Sequence, residues 1–580
     1  MSVFKQKNAI ASTEFKGFEG IDATAPHKYV PAARDMVNFR VCEDGSLEKR
    51  CGFAPIAVCD GDIRAVWSGR AYGKQLSFIA YGSTVATIDT ATDTLHNIGS
   101  IETSEGHAKF IFFNSHLYLM DSKRFYRITR DSVENFEGYA PLYAKNWGIG
   151  KPGSVNEPLN ILSRHIRMNY TVNQEFIYLC VDHLISSIDA VYIDGKLLKD
   201  KSKYYFDQDL MCVCVIGLKV GQVVDLYLTI AESTLDPSPL LSCKQSAVFG
   251  GYTDSRLFMW DGPEEDIMYA STPITNASLD ETKLVYGETV PIYIPQGTSF
   301  SMTRSERNIT AICRHYDRLL IFTNEDTWMS KNTVEVGSPL EALTVNSSRG
   351  CTSKGAAVMC ENDPICISAT SILRWTAESD ELNETNAKSI SSQIEPYLSE
   401  SFFTNGKILL DETSHEIYFY DPTDDAGKVW IYNYKTSCWY KFDGICADEL
   451  FLCDGTLGFV RGNAVYLFSK SLGADTLLDG NQRNIVAVYE SNPIDLDVPG
   501  NKKRLLGMTL NANLLGGDMS VEYVSDSKII SKIKLSSKSQ HAASFIKRLN
   551  STRFCYITLR LISDGMLPQR IYSSGVWAKL

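Results

Sequence analysis

Paired carboxylates are the first chemistry to look for in this sequence, because two of them can run acid–base hydrolysis of a glycosidic bond. Two stretches are rich in them, Asp261–Asp266 and Asp421–Asp425. Both sit in Gly-, Pro- and Thr-containing segments between apolar runs, where Asp serves turn geometry. Thiol and imidazole chemistry is the second possibility. The chain has 15 Cys, an odd number, with no C-x-x-C, and only Cys212 and Cys214 are close in sequence. Cys180, Cys360, Cys366 and Cys453 lie in apolar runs, as reduced core thiols do. The nine His show no H-x-H or H-E-x-x-H spacing, so no metal set forms. A phosphate-cradling G-x-x-x-x-G-K-[ST] loop is missing, as is a G-x-S-x-G nucleophile elbow. The expectation is a chain without enzymatic activity, with no catalytic residue, no metal and no cofactor.

A third possibility is a platform of rings. Tyr418, Tyr420, Trp430, Tyr432, Tyr434, Trp439 and Tyr440 crowd one hairpin. Amphipathic rings bind sugars well, and they also fill cores. Alternation would send Trp430, Tyr432 and Tyr434 to one face and Val429 and Ile431 to the other. The expectation is packing between neighbouring sheets, with a carbohydrate platform as the alternative.

The elements that hold these residues are strands. Of 580 residues, 44% are hydrophobic and 11% aromatic, enough for sizeable cores. Helical periodicity is nearly absent. The best helix candidate, Ser391–Leu398, is cut by Pro396. No apolar run is long enough to span a membrane as a helix, and Met1–Lys7 lead into no apolar signal segment.

Short apolar runs recur as a unit of run, turn, run, turn and aromatic-rich run. Residues 108–128, 309–330 and 355–376 show it most plainly. Starts near 63, 108, 245, 309, 355, 404 and 449 are separated by 45, 137, 64, 46, 49 and 45 residues. Four of these gaps match the roughly 40–50-residue period of propeller blades. The largest gap is one period plus a domain-sized insertion. The expected fold is therefore all-β: a six- to eight-bladed β-propeller with an inserted β-sandwich and a C-terminal β-domain. The expected division is an N-terminal arm over 1–60, propeller over 61–150 and 241–480, insertion over 151–240 between Pro152 and Pro237-Ser238-Pro239, and C-terminal domain over 481–580. Propeller hydrolases that carry Asp-boxes repeat S-x-D-x-G-x-T-W. Asn324-Glu-Asp-Thr-Trp328 lacks the Gly and does not recur, so it reads as a hairpin with a packed Trp.

Charge is split along the chain. The net is −12, yet residues 501–580 hold 13 basic against 4 acidic residues. The first 500 then hold 44 basic against 65 acidic. An acidic body is poorly suited to gripping duplex DNA, whose affinity comes from phosphate neutralisation. It suits a surface past which DNA slides. Lys502, Lys503, Arg504, Lys547 and Arg548 in the basic domain are expected at or near an interface with an acidic neighbour.

One segment carries a resemblance. Ala33 to Phe53 contains Asn38, Gly45, Leu47, Lys49, Arg50, Gly52 and Phe53 in an order similar to the N-terminal signature of bacteriophage tail nozzle or hub proteins, also called tail tubular or packaged-DNA stabilisation proteins. The usual Pro after Lys-Arg is Cys51 here. Arg318–Phe322 with Trp328, and Gly427–Tyr434 with Trp439, are similar to later stretches of that family. The resemblance implies a virion protein of the tail, made in the host bacterial cytoplasm. It implies a homo-hexameric ring that retains and then releases the genome. Partners would be portal-adaptor or other tail proteins, with genomic DNA passing through the lumen unread. A carbohydrate- or receptor-binding tail propeller is the alternative. Lys49 and Arg50 would either pair with an acidic neighbour or be solvated.

Overall fold

The computed structural model describes residues 8–579 except 14, 16, 18–32, 90–91, 93, 148–154, 175–177, 250–254, 273–291, 298, 302–307, 317, 332–341, 377–386, 497–499 and 551. Pro152 and Met1–Lys7 lie outside the described residues.

Among the described residues, six four-stranded antiparallel sheets, and four antiparallel strands at one end of a nine-stranded sheet, follow one another as blades 1 to 7. Blades 1 and 2 span 63–100 and 109–135. Blades 3, 4, 5 and 6 span 245–301, 309–346, 357–389 and 407–442. Blade 7 takes three strands from 449–469 and its fourth from Gly52–Val58. The first strand of each blade touches the first strand of the next, and blade 7 returns to blade 1. The ring is thus closed by pairing the start of the propeller sequence with its end. Pro55 is tolerated because this strand is the outer edge of its blade, where a missing N–H costs no ladder bond. The 1–60 segment is therefore no free arm: its last strand is part of the propeller.

The aromatic hairpin is the centre of blade 6. Tyr418, Tyr420, Trp430, Tyr432, Trp439 and Tyr440 are all buried. Alternation splits them as expected of a pleated strand. Tyr418, Tyr420, Val429, Ile431 and Tyr440 pack toward blade 7 and the C-terminal domain. Phe419, Trp430, Tyr432 and Trp439 pack toward blade 5. These rings are core, which removes the observation that motivated a sugar platform.

The insertion contains a five-stranded and a three-stranded sheet around a core of Ile166, Met168, Tyr170, Val191, Val213 and Leu226. It begins earlier than 151, because Leu142–Trp147 pairs in parallel with His165–Thr171. At its far end, Leu240, Leu241 and Cys243 pack on blades 2 and 3. The helix candidate Ser391–Leu398, cut by Pro396, is a 3-10 turn at Glu395–Tyr397, and a short helix follows at Glu400–Asn405. Ser399 caps that helix by accepting from Phe402 N at 3.1 Å, beyond the reach of Pro396.

The C-terminal domain is built from both chain ends. Ala33–Val37 bridges the outer strand of blade 6 to Ala487–Ser491, and so extends that blade into a nine-stranded sheet. A second sheet joins Phe39–Val41 and Leu47–Lys49 to Arg570–Lys579, Lys503–Asn513 and Ala543–Arg548. Met36, Phe39, Leu47, Leu505, Met508, Val521 and Ile571 belong to one shared core. The domain is fused to the propeller edge and is no separate bead.

Candidate functional site

The signature segment lies at the seam between the propeller and the C-terminal domain. Phe39–Val41 and Leu47–Lys49 form a hairpin whose turn needs Gly45, at φ +76°. Leu47 points into the shared core and is fully buried. Asn38 also has a left-handed backbone, φ +56°, which Asn accepts more readily than most residues.

Arg50 is the centre of the seam. Its guanidinium donates to both carboxylate oxygens of Asp475, at 2.7 and 2.8 Å. Both side chains are almost wholly buried, 2% and 1% exposed. The same guanidinium donates to Asp443 O at 3.0 Å, Cys51 O at 3.2 Å and Asn38 Oδ1 at 2.9 Å. Asn38 in turn donates to Val486 O at 2.9 Å and to the Asp443 carboxylate, and accepts from Asp443 N at 3.0 Å. A second cation, Arg483, reaches Asp475 at 2.9 Å from the solvent side. A planar fork fits this use, because it fills several acceptors at fixed angles. The clasp thus joins the N-terminal segment, the end of blade 6 and the 474–486 connection.

The flanking residues tighten it. A Cβ on Gly52 would sit 2.0 Å from Ala474 O, so only glycine allows this approach. Phe53 meets Phe459, Tyr466 and Phe468 edge-on at 4.8, 5.6 and 5.4 Å, which fixes the closing strand of blade 7. Lys49 is buried and donates to Gly565 O at 2.5 Å. Burial pushes its ammonium down to about 8, with Arg50 adding to the effect. Of the two readings of Lys49 and Arg50, Arg50 pairs with an acid and Lys49 is neither ion-paired nor solvated.

Beside the clasp, Glu416 is buried and accepts from Tyr418 Oη at 2.6 Å and from Tyr440 Oη. Arg40 stands 3.6 Å away. The Glu416 charge holds the Arg40 guanidinium well above its usual range.

The basic candidates divide. Lys502, Arg504, Lys547 and Arg548 are exposed. Lys547 and Arg548 lie on the edge strand opposite Met508 and Gly507. Lys503 is instead fully buried, donating to Asn501 O at 3.1 Å and Cys555 O at 3.0 Å. Burial lowers its pKa. Alternation along Lys503–Asn513 turns Lys503 inward and Arg504 outward, so Lys503 is withdrawn from the interface set.

The turn carboxylates do turn work. Asp421 Oδ1 accepts from Thr423 N at 2.9 Å, and Asp424 Oδ1 from Ala426 N at 3.0 Å. Asp326 Oδ1 accepts from Trp328 Nε1 at 2.9 Å, the packed Trp of its hairpin. Asp475, Asp443 and Glu416 were not singled out in the sequence. Each is one acid among 69, hundreds of residues from Arg50 or Arg40, and no local pattern marks it.

No family model matches the chain, and no curated protein matches it. Among solved structures, it is similar to the WD40 domain of SCAP from fission yeast, at 10% identity and TM-score 0.30, over 74% of this chain and 98% of that one. It is also similar to the extracellular domain of a putative one-component system from B. thetaiotaomicron, at 9% identity and TM-score 0.37, over 93% of this chain and 64% of that one.

Proposed function

We propose that this chain is a structural subunit of a bacteriophage tail, a nozzle or hub that assembles as a ring-shaped conduit for the genome. The observation that carries the reading is the signature segment. Asn38, Lys49, Arg50, Gly52 and Phe53 all act as internal fasteners, tying the propeller edge to the C-terminal domain. A body locked at its seams suits a building block that must transmit force without coming apart. In this reading the chain is no enzyme. Its partners are copies of itself in a homo-hexamer, portal-adaptor or other tail proteins, and DNA that passes without sequence recognition.

The exposed cations Lys502, Arg504, Lys547 and Arg548 then meet the acidic body of a neighbour and steer ring closure. Native mass spectrometry of the purified protein, with images of the particle, tests this. Six-fold rings are expected. Replacing those four residues by Glu should slow ring formation, less so at high salt as screening grows. A protein that stays monomeric at all concentrations and in the particle would overturn the reading. Normal rings from the four-Glu variant would overturn the docking role alone.

A further inference from the structure

The first strands of the blades all begin at one end of the propeller, so their opening residues converge around its axis. There they enclose a cavity of about 310 Å³. Its wall carries Arg64, His107, Lys109, Lys244, Lys354 and Lys407, contributed by five different blades or the turns that lead into them. Glu449 is the carboxylate of that wall. A pocket of this size lies at the lower end of small-molecule sites, which run from roughly 300 to 1,000 Å³.

The cations are unequally compensated. Lys354 is paired with Asp261 and Glu265, each at 2.7 Å. Arg64 spends its N–H groups on the carbonyls of Gly106, Gly82 and Thr103. Lys407 donates to Asp448 O at 2.9 Å. Among the described residues, Lys109, Lys244, Lys407 and Arg64 have no carboxylate within ion-pair distance. His107 Nε2 is buried without a hydrogen-bond partner. Burial first, and then Lys109, Lys244 and Lys407, push this imidazole down to about 4, against a hydrogen bond to the Lys244 backbone. Lys109 is also pushed down by burial and by Lys407, although Glu449 pulls it up. Like charges gathered at one end of the ring repel one another even though Lys244 and Lys407 reach solvent, and an anion placed among them relieves every pair at once.

We propose that the axial cavity is a binding site for a small condensed-phosphate anion, held by Lys109, Lys244 and Lys407 as point charges, with His107 Nε2 becoming a further donor when the anion draws a proton onto the ring. Ammonium groups bind phosphate without the fixed geometry of a guanidinium, which suits convergence from separate blades. The cavity lies within one propeller and is distinct from any lumen formed between copies. The site does not rest on the tail reading, and its test leaves that reading untouched.

Calorimetric titration of the full chain with inorganic tripolyphosphate, at fixed ionic strength, tests the site. Saturable binding is expected, with orthophosphate weaker. Lys109→Gln with Lys407→Gln should cost about tenfold or more in affinity, equivalent to about 1.4 kcal/mol per decade. Glu449→Gln should act in the opposite sense and tighten binding several-fold, which keeps the test decisive if the double variant does not fold. In NMR titrations the His107 resonance should move toward a higher pKa on ligand addition. A nucleoside triphosphate titrated in parallel separates the sources. Tighter binding of the nucleotide points to a nucleotide, and equal or tighter binding of the inorganic chain points to free polyphosphate. Absence of saturable binding at millimolar tripolyphosphate overturns the proposal. So does unchanged affinity in Glu449→Gln.

Discussion

Two groups of cations in this molecule, one buried at the seam and one partly exposed around the axial cavity, are treated in opposite ways. At the seam, Arg50 meets a carboxylate face-on, three carbonyls or amide oxygens complete its fork, and a second arginine shares the acid. At the axial cavity, Lys109, Lys244 and Lys407 face one another around a neutral histidine. Taking a charge out of water costs several kcal/mol unless partners restore what solvent supplied. The seam supplies those partners from within the chain and is complete. The axial cavity leaves them to come from outside. Compensation, rather than the number of cations, separates a fastener from a site.

The largest effect should come from uncoupling the fastener. Arg50→Ala leaves Asp475 buried beside Arg483 alone, and removes donors from Asn38 and Asp443. Breaking a buried pair in this way costs about 3–5 kcal/mol. Chemical denaturation should show that loss, with the propeller edge and C-terminal domain protected less from hydrogen exchange. Replacing both partners by apolar residues of similar volume should cost clearly less than either single change. If Arg50→Ala unfolds with the midpoint of the unaltered chain, the seam is not fastened as described.

A pair of histidines sharpens the contrast. His165 sits between Glu137, at 2.9 Å, and Asp189, at 3.6 Å, where the insertion meets blade 2. Those carboxylates overcome burial and raise it to about 9. A histidine raised in the folded state gives stability that is fully present below its unfolded value of about 6.5. That stability is lost as pH rises through about 9, and it is on the order of 2–3 kcal/mol. His107, lowered to about 4, has the opposite sign. The unfolded chain binds its proton first as pH falls, so stability declines between about 6.5 and about 4. Removing each histidine with Gln should flatten its own side of the pH–stability curve. A His107 resonance that titrates near 6.5 without ligand would erase the distinction between the two environments.

Much of the frame was legible in the sequence, and for a physical reason. A blade must place an apolar run every 40–50 residues, so the starts read at 63, 245, 309 and 449 fall on the first residues of inner strands Ile63, Gln245, Ile309 and Glu449. The Trp430 and Ile431 faces followed from the two-residue pleat alone. Partner choice over long separations was not legible. Nothing near Gly52–Val58 announces that it completes blade 7 beside Ala464–Ser469. Arg50 and Asp475 are joined across 425 positions. Lys503 was read from its charge as surface, whereas strand alternation turned it inward. The axial cations escaped notice for the same reason: each is a lone lysine at a blade start, and only ring closure gathers them.

The smallest effect is also the most discriminating. Lys109→Gln removes a half-buried ammonium that burial and Lys407 disfavour and Glu449 favours. Burial and Lys407 outweigh Glu449, so the charged form is already disfavoured in the unliganded protein and little is lost with it. Its stability should therefore change by less than about 1 kcal/mol, in either direction, as for substitutions that break no compensated network. Arg50→Ala differs because Asp475 and Asn38, which it abandons, stay buried away from solvent. At the same time, losing one neighbouring charge should let the His107 imidazole titrate higher, visible by NMR while the fold is intact. A loss of several kcal/mol in Lys109→Gln would mean that Lys109 is a fastener like Arg50. The axial cavity would then be another closed seam, with no vacancy for an anion.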